Sequence, residues 1–401
     1  MKSLKDKDLF VVSVIGQDRV GLVSSVTGLL FREGLNIVDI EQTVIHSQFT
    51  MVILVEPFGE GFDEDRLRGG LRSIAQSQKM NISFFPFREF KGLRFAETKR
   101  SFVLTILGTD KPGVVATISK VLSDFEANIE RIKMIARGEL LAMEMFVDVR
   151  GADFGKLGNA LMGAAEKIQM DLVVQPEWAY QKRKKLIVFD MDSTIVDAEI
   201  IDELAKKTGA DDKVRELTAR GMAGAIDYEK SLRKRVSLLR GLPLVALDTM
   251  VSTLKLTKGT EELISALKEM GFKIALISGG FTYFTDVLKK RLGFDYAYGN
   301  ELEIENGVLT GNIKGPIIDG RTKAAIVEEI CQQEGMSQDE VVAVGDGSND
   351  QIMVANAGLG IGFNATEVLK KVAAGSISKD HLKGVIYCMG ITYPHKEMPN
   401  T

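Results

Sequence analysis

The sequence predicts an α/β protein. Two copies of a small βαββαβ unit in the ferredoxin-like arrangement come first, followed by a Rossmann-like parallel-sheet core with a helical insertion. Three observations carry this expectation. Residues 8–175 contain an internal repeat. Further on, the apolar runs Leu186-Ile187-Val188-Phe189, Lys273-Ile274-Ala275-Leu276-Ile277 and Val341-Val342-Ala343-Val344 are each followed at once by Asp, Ser or Gly. Buried parallel strands that end at a ligand site read this way. Between the first two runs, residues 197–257 are mainly helical in pattern.

The repeat has an offset of 92 residues, as from Gly21 to Gly113. Phe10-Val11-Val12-Ser13-Val14-Ile15-Gly16 corresponds to Phe102-Val103-Leu104-Thr105-Ile106-Leu107-Gly108, and the register holds to Met51 and Met143 without a gap. In each copy a strand ends in a Gly/Asp turn and a helix follows. Its apolar positions are Leu22, Val26, Leu29 and Leu30, then Val114, Ile118, Val121 and Leu122. That spacing is one face of an amphipathic helix. Two more strands, a second helix and a last strand, Asp171-Leu172-Val173-Val174 in copy two, complete βαββαβ. So long a period marks a duplicated domain rather than a solenoid. The expected boundaries are 8–90, 99–176 and 184–390. Gln175-Pro176-Glu177 and Lys182-Arg183-Lys184-Lys185 form the linker, its charges expected in solvent.

Composition narrows the function classes. The 401 residues are 45% hydrophobic and 26% charged, with 51 basic against 55 acidic side chains and a net charge of −4. A nucleic-acid partner is disfavoured, because no general basic footprint exists. No apolar run reaches the roughly 18–20 residues that span a bilayer, and the charged start, Met1-Lys2-Ser3-Leu4-Lys5, does not read as a signal peptide. Cys331 and Cys388 cannot build a disulfide framework or a zinc cluster, so a cytoplasmic location is expected. His46, His381 and His395 lack metal-ligand spacing, so any metal should be hard and oxygen-bound. Beyond His381, Cys388, Tyr393-Pro394 and His395 are expected to form a frayed end or to pack against a partner chain.

Carboxylates concentrate where the strands end. Asp190 and Asp192 are two apart and fall on one side of an extended segment. Gly345-Asp346-Gly347-Ser348-Asn349-Asp350 follows the third apolar run. A lone Asp after a strand ordinarily serves a turn or an N-cap, and for Asp350 that role and a metal-shell role are both open. If Asp190, Asp192, Asp346 and Asp350 converge, they repel by about 4 kcal/mol per pair at 4 Å and an effective dielectric near 20. They then need a cation. With no His or Cys spacing available, oxygen ligands point to Mg²⁺, an ion that keeps waters and pairs with phosphate.

Two family resemblances follow from these motifs. The D-x-x-G turn at Asp18 and Gly21, and again at Asp110 and Gly113, with Asn36-Ile37 and Asn128-Ile129 downstream, resembles the ACT family of amino-acid-binding regulatory domains. A glycine at a helix N-terminus lets a ligand reach backbone N–H groups, and that end favours a carboxylate. Asp18 or Asp110 would then meet the ligand's ammonium. The resemblance implies side-by-side pairing, hence a homodimer or higher homo-oligomer. A purely scaffolding role for these turns stays open, as does the copy that binds ligand.

The ordered set Asp190-Met191-Asp192-Ser193-Thr194, Ser278-Gly279-Gly280, Lys323 and Gly345-Asp346-Gly347-Ser348-Asn349-Asp350 resembles the haloacid dehalogenase phosphatases. Glu199-Ile200-Ile201-Asp202-Glu203-Leu204 and Ser231-Leu232-Arg233-Lys234-Arg235-Val236 narrow the likeness to the phosphoserine phosphatases of that family. The resemblance implies that Asp190 is the nucleophile and Asp192 the general acid and base. It places Mg²⁺ on Asp190, the Asp192 backbone carbonyl and Asp346. Asn349, also placed at the substrate, and Asp350 support that shell. Ser278, Gly279 and Lys323 would hold phosphate oxygens. Residues 197–257 would form a helical cap in which Glu199 holds the substrate ammonium and Arg235 its carboxylate; Met222 and Tyr228 would line the pocket by this resemblance, while core packing is the favoured reading of both. Arg233 and Arg240 are expected in solvent.

The implied activity is Mg²⁺-dependent hydrolysis of O-phospho-L-serine to L-serine and phosphate, the last step of L-serine biosynthesis, with L-serine as a regulatory ligand. Two alternatives remain at this point. One is the same chemistry on phosphohomoserine, phosphothreonine or a phosphoprotein; the other is an ACT-based sensor with a vestigial phosphatase. Thr366-Glu367 stands where that family usually has Lys-Pro, which leaves one loop near the phosphate in question. Asn306-Gly307 predicts a type I′ hairpin.

Overall fold

The computed structural model of the chain describes residues 9–58, 62–87, 99–138, 140–222, 227–378 and 381–392, with the side chains of 219–222 excepted. The chain divides into two units, Met1–Ala96 and Glu97–Thr401.

The first unit is one copy of the repeat. Strand β1 (Phe10–Gln17) leads to α1 (Leu22–Arg32), β2 (Leu35–Ile45), β3 (Gln48–Pro57), α2 (Glu64–Gln78) and β4 (Asn81–Pro86). The strands form an antiparallel sheet in the order β2-β3-β1-β4. Leu22, Val26, Leu29 and Leu30 of α1 are buried, as the periodicity predicts. They pack on Val12 and Val14 of β1 and on Met51, Ile53 and Val55 of β3. Asp63 caps α2, its carboxylate accepting from the Asp65 and Arg66 amides, which satisfies two donors left over at a helix start.

The second unit opens with the second copy. It comprises β5 (Ser101–Gly108), α3 (Val114–Asp124), β6 (Asn128–Ala136), β7 (Leu141–Asp148), α4 (Phe154–Lys167) and β8 (Asp171–Pro176). The strand order, β8-β5-β7-β6, is that of copy one. Val114, Ile118 and Leu122 of α3 are buried, and Val121 is half-buried.

The short helix α5 (Glu177–Gln181) leads into β9 (Leu186–Phe189), whose four residues are all fully buried. Four helices follow, α6 (Ile200–Thr208), α7 (Asp211–Met222), α8 (Tyr228–Ser237) and α9 (Leu244–Thr253). Then come α10 (Thr260–Glu269), β10 (Lys273–Phe281), α11 (Thr282–Leu288), β11 (Tyr296–Glu305), β12 (Val308–Lys314) and α12 (Gly320–Glu334). The chain continues through β13 (Val341–Gly345), α13 (Gln351–Asn356), β14 (Leu359–Phe363), α14 (Glu367–Lys370), β15 (Gly375–Ile377) and α15 (Gly384–Cys388).

Six strands, β11-β10-β9-β13-β14-β15, run parallel, and β9 lies between β10 and β13. Successive side chains of β9 point to opposite faces. Ile187 and Phe189 join a core with Leu263 and Leu267 of α10, whereas Leu186 and Val188 pack with Ile326 and Ile330 of α12. Each such side chain is worth about 1.5–3 kcal/mol relative to exposure, so the strand that leads to the acids is firmly held. The β11–β12 connection is the expected type I′ turn, with Asn306 and Gly307 both at positive φ, 50° and 77°.

Two features were not legible in the sequence. The repeat sheet and the parallel sheet are one: β15 pairs antiparallel with β8 through Gly375–Val173 and Ser376–Leu172, giving eleven strands in all. Gly375 permits the approach, since a Cβ there would strike the backbone of Leu172 and Val173. The second feature corrects the expectation of a frayed tail around Cys388. Val385, Ile386, Tyr387 and Cys388 of α15 are at most 1% exposed. They pack with Leu107 and Ala142 of copy two, and the Cys388 carbonyl accepts from Gln175 Nε2 at 2.8 Å. The segment caps the sheet face that α3 and α4 leave open. Tyr393, Pro394 and His395 lie outside the described residues.

Candidate active site

The acidic site stands at the carboxyl ends of β9, β10 and β13, where the apolar strands give out. Asp190 follows β9 directly, is 3% exposed, and its backbone N–H donates to Val344 O at 2.9 Å. Its Oδ1 accepts from the Met191 amide at 2.7 Å and pairs with Lys323 Nζ at 2.9 Å. No described residue hydrogen-bonds its Oδ2. Asp192 stands just beyond, its Oδ1 accepting from the Ile200 amide at the start of α6 at 2.9 Å. The Ser278 hydroxyl donates to its Oδ2 at 3.4 Å. Ser193, at a positive φ of 54°, donates through its hydroxyl to Glu199 Oε1 at 2.8 Å.

The turn after β13 is built around Asp350. Its Oδ2 accepts from the Asp346 and Gly347 amides at 3.2 and 3.1 Å, and its Oδ1 from Lys323 Nζ at 2.7 Å. Asp350 therefore fills the turn-capping role expected of a carboxylate there, and it also anchors the lysine. Gly345 is required beside it, since a Cβ would collide with the Asp350 carboxylate. The Thr366 amide donates to Asp346 O at 2.9 Å, so the loop bearing Thr366-Glu367 supports this turn.

Electrostatics mark the place as one built for a cation. Asp190, Asp346 and Asp350 each offer an oxygen within 4.8 Å of the others. Burial, then the charge on Asp350, pushes the Asp190 carboxyl up to about 7. Burial, then the charges of Asp190 and Asp350, pushes Asp346 up to about 9. Burial, together with Glu199 and Asp190, raises Asp192 well above the ordinary carboxylate range. Lys323 is fully buried; burial disfavours its charge, but Asp190 and Asp350 outweigh that and raise its pKa. One ammonium does not neutralise this cluster. The remaining donors are all oxygen and suit a hard divalent ion such as Mg²⁺.

A cavity of about 200 Å³ opens above the acids. That is below the roughly 300–1,000 Å³ typical of drug-sized ligand sites and fits a small metabolite. Asp190, Asp192, Gly279, Asp346 and Asn349 line its floor, while Glu199, Thr218, Tyr228 and Arg235 come from the segment before α6 and from α7 and α8. Arg235 Nη1 donates to Thr218 Oγ1 at 3.3 Å, and its Nε is buried with no hydrogen-bond partner among the described residues. A guanidinium that lines a cavity and keeps an unused donor suits an anionic ligand there. Tyr228 lies over Gly279, where any side chain would meet its hydroxyl. Met222 ends α7, but its side chain lies outside the described residues.

The structure thus brings together Asp190, Asp192, Glu199, Arg235, Ser278, Gly279, Lys323, Asp346, Asn349 and Asp350. Arg233 and Arg240 stay outside the cavity, exposed and bonded to Glu229 and Thr310 O. Sequence reasoning missed Thr218, which orients Arg235, and Asn300. Asn300 is 1% exposed in β11 and donates to Gly279 O at 2.8 Å. The only sequence signal for it is a lone amide inside a strand. At the repeats, Gly21 and Gly113 start α1 and α3 at φ of 96° and 93°, with no side-chain cap on either helix. Asp110 pairs with Arg137 at 2.8 Å, whereas no described residue pairs with the Asp18 side chain.

Comparison with known proteins agrees with the geometry. Residues 184–358 match the haloacid dehalogenase-like hydrolase family, and residues 8–85 and 100–175 match the ACT domain. A phosphoserine phosphatase of Archaeoglobus fulgidus is 50% identical over 323 residues, which is 80% of this chain and 93% of its own. One from Streptomyces coelicolor is 34% identical over 400 residues, 99% of this chain and 95% of its own. The crystal structure of a probable phosphoserine phosphatase from Vibrio cholerae, in unliganded form, superimposes with a TM-score of 0.57 at 33% identity. That likeness covers 72% of this chain and 86% of the other.

Proposed function

Because this chain belongs to the phosphoserine phosphatases of the haloacid dehalogenase-like hydrolase family, we propose that it hydrolyses O-phospho-L-serine to L-serine and phosphate, with Mg²⁺ and through an aspartyl-phosphate. The observation that carries the substrate assignment is the cavity itself. Asp190, Asp192 and Asp346 line its floor with Lys323 paired to Asp190 behind them, Glu199 stands beside Asp192, and Arg235 reaches in from α8. A molecule with a phosphate at one end and an ammonium and a carboxylate at the other matches these groups.

The chain's own residues divide the work. Asp190 accepts from Met191 and pairs with Lys323 through Oδ1, which fixes the carboxylate so that one oxygen can attack phosphorus while the other faces the ion. As the P–O bond to serine breaks, Asp192 gives its proton to the departing oxygen. The raised pKa of Asp192 keeps that proton available. Asp192 then takes a proton from the water that attacks the aspartyl-phosphate, which releases phosphate and restores Asp190. Ser278, Gly279 and Lys323 stabilise the charge on the phosphoryl oxygens. Asp190 and Asp346, with the Asp192 carbonyl, would hold Mg²⁺, supported by Asp350 and Asn349. The ion supplies charge neutralisation for the transferred phosphoryl group.

The repeats are proposed to bind an amino acid, L-serine by this reading, at the uncapped N-termini of α1 and α3. Their free N–H groups there favour a carboxylate. Asp18 and Asp110 would face its ammonium, and copy two carries a groove of about 440 Å³ beside Asp110 and Gly113. Self-association through the repeat belongs to the same proposal. Ile15, Val52 and Phe85 share the helix-free face of the first sheet and are 48%, 44% and 47% exposed.

The test is a panel of small phosphomonoesters assayed with and without Mg²⁺ and free L-serine. Phosphoserine should be preferred, and chelation should abolish turnover. Arg235→Ala should lose about 10²-fold in kcat/KM on phosphoserine, since a charge-assisted clamp on the carboxylate is removed. On p-nitrophenyl phosphate, which has no such carboxylate, it should change little. Equal losses on both would refute the assignment of Arg235 to the substrate carboxylate.

A further inference from the structure

We infer that Asn300 is a positioning residue for phosphoryl transfer, which locks the Ser278-Gly279-Gly280 turn to the segment that launches the Lys323 helix. The inference rests on the assignment of that turn and of Lys323 to phosphate oxygens.

Asn300 does not touch the cavity. It sits in β11 at 1% exposure, and its amide spans two main-chain groups. Nδ2 donates to Gly279 O at 2.8 Å, and Oδ1 accepts from Ile318 N–H at 2.9 Å. The β10–β11 ladder breaks over this stretch: Ile277 pairs with Tyr298, and pairing next resumes at Phe281 with Asn300. The Gly279 carbonyl therefore lies where the regular ladder is interrupted. A buried carbonyl without a partner is costly, and the Asn300 amide supplies that partner.

The other end of the amide reaches the start of α12. Ile318 precedes Asp319, whose carboxylate accepts from the Thr322 amide at 2.8 Å and caps the helix that carries Lys323. The next residue, Gly320, is close enough to Asn349 that a Cβ would lie 2.8 Å from Asn349 O. One buried amide thus joins the turn, the lysine helix and the flank of the acidic turn. Only a side chain with a donor and an acceptor side by side does this; an ionised Asp has no donor. Misplacement of a binding group by about 1 Å costs on the order of 10²-fold in rate, so this joint bears directly on turnover.

The experiment uses the full chain. Asn300→Leu keeps the approximate size but removes both the donor to Gly279 and the acceptor for Ile318. Asn300→Ser, whose hydroxyl is too short to span both main-chain groups, serves if the leucine prevents folding. Ser278→Ala controls for the phosphate assignment. On phosphoserine and p-nitrophenyl phosphate, the Asn300 variants should lose about 10- to 100-fold in kcat. Inhibition by inorganic phosphate should weaken at least about fivefold, and product inhibition by L-serine should stay within about twofold. A lowered Tm with unchanged kinetic constants below the transition would overturn the inference, as would equal weakening of phosphate and serine. Loss of phosphate inhibition in Ser278→Ala alongside an unaltered Asn300 variant would overturn it alone. Unaltered phosphate inhibition in Ser278→Ala would overturn the phosphate assignment and this inference together.

Discussion

Asp190→Asn is expected to lower turnover of phosphoserine by about 10⁴-fold or more. An amide keeps the shape of the side chain, and its oxygen still accepts from the Met191 amide and from Lys323. It has no carboxylate to attack phosphorus. The effect on stability should be small or favourable. Asp190 is buried among Asp346 and Asp350, and its carboxyl is pushed up to about 7 by that burial and by Asp350. A neutral amide relieves part of the repulsion. Single-turnover kinetics and a thermal melt on the same preparation separate the two effects. Retention of more than about a tenth of kcat would remove Asp190 from the nucleophile role.

Lys323→Met carries the second large effect. The lysine is fully buried and is ion-paired with both Asp190 and Asp350. Removal of one partner from a buried pair typically costs about 3–5 kcal/mol, because the other charge is left uncompensated. Here two carboxylates are left. The Asp190 carboxyl already stands at about 7 in the folded protein, and loss of the lysine that holds it down raises it further. A carboxyl so raised destabilises the fold at high pH, and the penalty fades as pH falls and the group takes up its proton. The difference in Tm between wild type and Lys323→Met should therefore be larger at pH 8 than at pH 5. Turnover should also fall steeply, since a phosphoryl-binding cation is gone. A Tm difference that grows as pH falls would contradict the pairing.

Much of the site is legible in the sequence because its signals are local. An apolar run ending in Asp190-Met191-Asp192 announces a buried strand with acids at its end, and Asn306-Gly307 announces its turn. The apolar spacing of α1 gives its buried face residue by residue. The remainder depends on contacts between distant segments. Lys323 reads as one lysine on a helix until α12 is placed beside β9. Asn300 has no pattern at all, since its partners are backbone atoms 21 and 18 residues away. The tail departs from its expectation for a related reason. Val385-Ile386-Tyr387-Cys388 is too short to show a period, and its burial arises only because copy two leaves a sheet face bare. The seam between β8 and β15 likewise turns on the missing side chain of Gly375, which no periodicity registers.

That seam also shapes how the molecule comes apart. Leu107, Ile135 and Ala142 of copy two share a core with Phe189 and Phe363 of the parallel sheet. Among the described residues of 97–401, that shared core and the β8–β15 pairing couple the loss of order in one part to unpacking of the other. Calorimetry should resolve a single cooperative transition for them, although the repeat marks two domains there by ancestry. A cut near residue 184 would expose the β15 edge and bare the apolar bed of α15. The fragment it leaves should aggregate rather than melt cleanly. In this chain the boundary between inherited domains is not a boundary between folding units.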